Sequence, residues 1–259
     1  MTNDIDEAID WRGEPISCSA CPHRDLLAQE RCRPKHACIH DRYARRIDRF
    51  LNWNPVLANG YLDHPHFEVR AIAAKSADIF RLPALLDDPE ETVRWNAAIR
   101  LPYRYLRRMR TDPHREVRIR VAARLQPTDL VSMLEDSDYY VRLIVARRID
   151  TRLLPWMIGD PEAQVRIMVA RRIDEAFLLR LADDRDAGVR LEAVQRLPAD
   201  RLAVLRDDPD WRIRYQIASR IDVGQLTPFV EDADPIVRDV AMRRCRGDWS
   251  DADGREIAG

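Results

Sequence analysis

Apolar positions return along this chain in a register of 24 residues. The marks are Val69, Val93, Val117, Val141, Val165, Val189, Ile213 and Val237, each followed by arginine. Counting each unit from this residue as zero, apolar or small side chains fall at zero, plus four, plus five and plus eight, as in Val141, Val145, Ala146 and Ile149. At about 100° per residue these positions share one face, which predicts an amphipathic α-helix ending at the arginine at plus seven. Asp or Pro then follows, as in Asp150, Asp174 and Pro198. A leucine at plus thirteen (Leu82, Leu106, Leu130, Leu154, Leu178, Leu202, Leu226) and an apolar residue three positions later predict a second element of 3₁₀ or single-turn helix. No stretch alternates as a strand would. A period of this length means stacked units that bury their apolar faces on one another.

The polar positions keep the same register. Asp stands at minus five in Asp88, Asp112, Asp136, Asp160, Asp184, Asp208 and Asp232, often followed by Pro, a pattern that reads as an N-cap with Pro at the first helical position. The arginine at plus one lies inside the apolar arc, so it needs a partner. The minus-five Asp is the expected one, within a repeat or across to the next, so that Asp88 would pair with Arg94 or Arg118. Continued through Arg142, Arg166, Arg190, Arg214 and Arg238, such pairs form a structural ladder. The arginines at plus seven (Arg100, Arg124, Arg148, Arg172, Arg196, Arg220, Arg244) sit at the edge of the face and make a basic line. Asp–Asp pairs such as Asp87–Asp88 are placed to neutralise it. Cys245, at a plus-eight position, reads as a buried apolar thiol.

Ahead of the repeats the pattern changes. Residues 1–17 show no period and are expected to be a weakly ordered lead-in. Tyr43, Ile47, Phe50 and Leu51 then stand at helical spacing, a stripe suited to covering the first repeat around Val69 and Ala73. The expected organisation is a metal-binding segment and cap over 1–48, the repeats over 49–246 and a polar tail over 247–259.

The 259 residues hold 43 basic against 44 acidic residues, a net charge of −1 that gives no overall attraction to nucleic acid or an anionic membrane. The acidic start MTNDIDEAID and the lack of an apolar run near ~18 residues point to a cytoplasmic protein with no membrane span.

Four of the five cysteines crowd into C-x2-C-x10-C-x5-C: Cys18, Cys21, Cys32 and Cys38. So short a segment has few apolar residues of its own to fold around, and four thiolates together need a metal to hold them. Zinc and a 4Fe–4S cluster both accept four thiolates. Arg24, Arg31, Arg33, Lys35 and Arg42 would offset a net-negative centre of either kind. His23, His36 and His40 lie nearby and read as surface or supporting residues, because four cysteines already complete a site.

DPxxxVRxxAAxRL followed by LxxL at this period resembles the leucine-rich repeat variant family, and the cysteine-rich start is similar to its iron–sulfur member. The resemblance implies a 4Fe–4S cluster on Cys18, Cys21, Cys32 and Cys38. It also implies an all-α, right-handed superhelical solenoid of alternating α and 3₁₀ helices. The chain departs from the family pattern at His64, Ser76 and Cys245, all in the first and last repeats. No glycine-rich phosphate loop, HExxH, GxSxG or recurring Asp, His and Ser supports an enzyme. The expected role is a scaffold that binds another protein, with possible redox response. The alternatives are an electron carrier docking through the repeat face and a nucleic-acid binder using the plus-seven arginines.

Overall fold

The computed structural model describes residues 7–249, and among these there is no β-strand, only isolated bridges. The chain divides into two compact units, Met1–Met133 and Leu134–Gly259. The first holds α1 (Arg24–Ala28), α2 (Ala44–Trp53), α3 (Phe67–Ala73), α4 (Glu91–Arg100) and a helix at Arg115–Arg124. α2 runs unbroken across residue 48. The second unit repeats the pattern with helices at Tyr139–Arg148, Ala163–Arg172, Ala187–Arg196, Trp211–Ala218 and Pro235–Arg246. Between successive long helices lie 3₁₀ segments such as Pro127–Met133 and Thr151–Met157, or single α turns such as Leu178–Ala182. No helix among the described residues is long and apolar enough to cross a membrane. Of the expected tail, residues 250–259 lie outside the described residues.

Each unit's core is the apolar register itself. Val93, Ala97, Ala98 and Leu101 of one repeat are wholly buried, as are Val165, Val169, Ala170 and Ile173 of another. The leucines at plus thirteen, from Leu82 to Leu226, are wholly buried as well. Helices of ten residues are marginal alone, so this packing is what holds them. The helix ends where the pattern placed it. At plus eight the backbone turns extended, with ψ of 141° at Leu101, 158° at Ile149 and 155° at Ile173, and the apolar side chain swings into the core.

Three expectations are corrected. The N-cap is at minus three, not minus five: Asp138 accepts from the N–H groups of Tyr140 and Val141, and Asp186 from those of Gly188 and Val189. The minus-five carboxylate is already held by an arginine and closes a turn just before the helix, as Asp160 does by accepting from Glu162 N–H at 2.9 Å. Cys245 is exposed, not buried. Its helix continues to Arg246 and ends on Gly247 in the left-handed region (φ 80°), so the chain never makes the extended turn that buries plus eight elsewhere. Residues 8–16 are an ordered tight turn. Asp10 accepts from Arg12 and Glu14 N–H at 2.8 and 2.9 Å, Gly13 takes φ +90°, and Arg42 N–H bonds Ile9 carbonyl. Such a turn is too short to show either helical or strand periodicity.

The two arginine series do different things. Six plus-one arginines form a two-point pair with the minus-five Asp of the following repeat. Arg94 meets Asp112 at 2.7 and 2.9 Å, and Arg142 meets Asp160 at 2.7 and 3.0 Å. Arg70–Asp88, Arg166–Asp184, Arg190–Asp208 and Arg214–Asp232 repeat the geometry. Nη1 of the same arginine takes the main-chain carbonyl of its own repeat's minus-five residue, as Arg94 does with Asp88 at 2.7 Å. The expected pairing therefore runs the other way: the carboxylate of Asp88 belongs to Arg70, not to Arg94 or Arg118. A plus-one arginine sits between two minus-five residues and gives its forked edge to the one ahead.

The plus-seven arginines reach back instead. Arg100 donates to Ala74 and Ala77 carbonyls at 2.8 and 2.6 Å, and Arg244 to Ala218 and Ile221 at 2.8 and 2.6 Å. Arg172, Arg196 and Arg220 make the same bonds, and Arg124 bonds Ala98 carbonyl. These carbonyls are the unsatisfied C-terminal acceptors of the preceding helix, where a cation is also favoured by the helix dipole. Six of the seven arginines of the expected basic line thus spend guanidinium donors on capping the preceding helix.

Candidate metal centre

The four N-terminal cysteines lie on loops rather than on a regular element, since α1 falls between Cys21 and Cys32 and α2 begins after Cys38. Cys32 and Cys38 are buried, while Cys18 and Cys21 are half-buried. All four share one electrostatic neighbourhood. Burial pushes the Cys32 thiol up, and Cys21 and Cys18 push it further. The Cys38 thiol is pushed up to about 12 by burial, opposed by the His40 N–H and reinforced by Cys32, Asp41 and Cys21. Two buried thiols that resist ionising, gathered with two further soft donors, suit a cationic metal core, whose binding releases protons. Among the described residues no three His, Cys, Asp or Glu side chains gather as they would around a single ion. A 4Fe–4S core places each thiolate on its own iron, so its ligands need not share one centre.

Main-chain N–H groups already point at two of the sulfurs. His23 N–H donates to Cys21 Sγ at 3.4 Å, and His40 N–H bonds Cys38. The three expected supporting histidines are engaged around the thiols. The His23 ring shares a hydrogen bond with the Tyr61 hydroxyl and lies against Phe50. His36 is held by Arg49 through Nδ1 at 2.8 Å and its carbonyl at 2.9 Å. Burial lowers the pKa of His40.

What the spacing did not reveal is how this segment is fastened to α2. Cys38 N–H bonds the Arg46 carbonyl at 3.2 Å, inside the helix. The Arg46 side chain bonds Asp41 at 2.9 Å and Glu7 carbonyl at 3.1 Å, and Asp41 is wholly buried. Arg46 stands one period before Arg70, and the residue it would meet in the repeat ahead is His64, not Asp. Asp41 supplies the carboxylate instead. At the other end of α2, buried Asn54 donates to Arg31 carbonyl at 2.8 Å and to Phe50 carbonyl at 2.9 Å. Ile47, Phe50 and Leu51 are buried as the stripe required, and α2 packs on α3, which carries Val69 and Ala73. Tyr43 stands just outside α2 at its N-cap. Trp11 stacks on His66 at the start of α3, with ring centroids 5.5 Å apart.

A family model described as the LRV protein FeS4 cluster matches residues 8–60, which includes all four cysteines. A solved structure described as a leucine-rich repeat variant with a novel repetitive protein structural motif is 38% identical. It superposes with a TM-score of 0.84 over 88% of this chain and 98% of that one. The chain belongs to the leucine-rich repeat variant family, and its repeats are those of the family's all-α solenoid. An uncharacterized 27.7 kDa protein in the nifB 3' region of Rhodobacter capsulatus is 48% identical over 96 residues, 37% of this chain and 39% of that relative.

Proposed function

We propose that Cys18, Cys21, Cys32 and Cys38 hold one 4Fe–4S cluster, and that the protein is a redox-responsive module whose repeats bind another protein. The cluster would supply a one-electron couple, and the chain supplies its setting: two N–H···S contacts, two buried thiols and a rim of arginines. The observation that carries the reading is the bond from Cys38 N–H to the Arg46 carbonyl in α2, the helix that packs on the first repeat. Holding or losing the cysteines therefore acts on the cap and, through it, on α3. More distant repeats touch only their neighbours.

Anaerobically prepared protein is expected to be brown, absorbing near about 400 nm, with about four iron and four sulfide per chain. Cys32→Ala removes the iron, and Cys245→Ala leaves it. Colourless protein with one tightly held zinc would overturn the cluster. Hydrogen exchange on holo and metal-free protein reads the coupling: faster exchange confined to the cap and α3 supports it. Equal protection over 41–76 would make the centre an independent appendage and favour the simple electron carrier.

A further inference from the structure

Between Cys18 and Trp53 the chain has eight basic and four acidic residues, against a net charge of −1 for the whole. The acidic side chains do not neutralise this excess evenly. Asp41 is buried against Arg46, and Asp48 bonds Lys75 of the first repeat at 2.8 Å. Several of the basic ones gather along one side of α2. Arg45, Arg49 and Trp53 follow at i, i+4 and i+8 along α2, so they share a face. His36 joins that face to the loop carrying Cys32, since Arg49 holds its ring and carbonyl and Trp53 lies 5.7 Å from it, centroid to centroid. Arg31 donates to Trp53 carbonyl at 3.2 Å. Arg33, Lys35 and Arg45 are exposed and make no ion pair among the described residues.

The backbone of this loop adds a second observation. Arg33 and Ala37 exchange both main-chain hydrogen bonds, at 2.9 and 2.8 Å, closing a tight hairpin between Cys32 and Cys38. Lys35 at its tip has φ +61°, a left-handed conformation that glycine adopts freely and a lysine only at a cost. Among the described residues nothing bonds the Lys35 side chain. It projects a charge outward from the segment between two cysteines.

We infer that this hairpin tip and the Arg45–Arg49–Trp53 face of α2 form the docking site for an acidic one-electron carrier protein. The inference rests on the iron–sulfur reading. A carrier seated here stands over the loop of Cys32 and Cys38, the electron it gives up is the one the cluster gains, and no atom is transferred. Charge complementarity selects the partner, and Trp53, flat and partly exposed, supplies the apolar contact at the centre of a charged rim. One hairpin and two helical turns offer no extended basic track of the kind that nucleic-acid affinity requires.

The test titrates the full-length, metal-loaded chain with oxidised flavodoxin, an acidic one-electron carrier, at low and high salt. Binding at low salt should weaken at least about tenfold between ~20 and ~300 mM salt, as screened charge pairs do. Arg33→Glu with Arg45→Glu should weaken it by about tenfold or more at fixed salt. Lys35→Gly should weaken binding without lowering thermal stability, because glycine relieves the left-handed turn. Arg147→Glu, an exposed arginine of the second unit, should change nothing. Three results overturn the inference: no binding at low salt, indifference to the charge reversals, or tighter binding of a single-stranded oligonucleotide that displaces flavodoxin. Iron and sulfide are measured on every sample. A fully loaded cluster without docking refutes this inference alone, and anaerobically prepared protein that holds zinc and no iron refutes the cluster reading on which it rests.

Discussion

A guanidinium enclosed by apolar neighbours is tolerable only if its donors are used, and Arg142 uses them on both sides. Nε and Nη2 grip Asp160, while Nη1 takes Asp136 carbonyl at 2.7 Å. The Arg142 side chain is 10% exposed and that of Asp160 5%. Asp160→Asn leaves that cation without its counter-charge and should cost about 3–5 kcal/mol. Arg171 is about half exposed, and its bond to Glu192 lies in solvent. Arg171→Gln should cost less than about 0.5 kcal/mol. Urea unfolding of the two variants checks the contrast, and equal small losses would mean that water reaches the plus-one pairs. That this arginine needed a partner was legible from its angle on the helix. Which carboxylate it takes was not, because the choice depends on how far one repeat is displaced from the next.

At the scale of elements, the helix positions were legible wherever the signal was a repeated apolar face. They were obscure wherever it was a cap. Asp–Pro suggests a helix start, yet the carboxylate at minus five is claimed by Arg, and capping passes to Asp138, Asp186, Asp210 and Asp234. The helix C-termini are closed from outside by an arginine 23 and 26 residues on, as Arg172 does with Ile149 and Ala146. No local pattern announces such a cap. Arg172→Met keeps the apolar stem and deletes the donors. The loss should be about 1.5–3 kcal/mol, the range for hydrogen bonds from a charged group. Amide exchange should show it at the C-terminus of the Tyr139–Arg148 helix first, and unchanged protection there would deny the cap any role. The cysteine quartet was legible as a metal motif from spacing. The clamps on it, Arg46 with Asp41 and Asn54 with Arg31, join residues whose meeting depends on the folded cap.

For the whole molecule the meaningful unit is the period, not the helix. Excising residues 165–188, one full period, brings Arg190 into the place of Arg166 with Asp208 still ahead of it and the carbonyls of Asp160 and Pro161 behind it. The shortened chain should fold with unchanged helicity per residue and unfold with a smaller denaturant dependence, since less surface is exposed. Excising 165–187 shifts every later side chain by one position, and circular dichroism should show its helicity falling. Equal behaviour of the two deletions would show that register does not govern folding.

The arginines that reach one repeat ahead and one repeat back also bear on how such a gene changes. The repeats after the first present the same two connectors and the same two receptors, so a duplicated or lost internal repeat meets its new neighbours with matching chemistry. Recombination between repeats therefore edits the length of the protein in whole steps without requiring compensating substitutions. A small insertion inside a repeat mismatches both neighbours at once. Selection on such a lineage would leave the number of repeats free to vary while the spacing within each stays fixed.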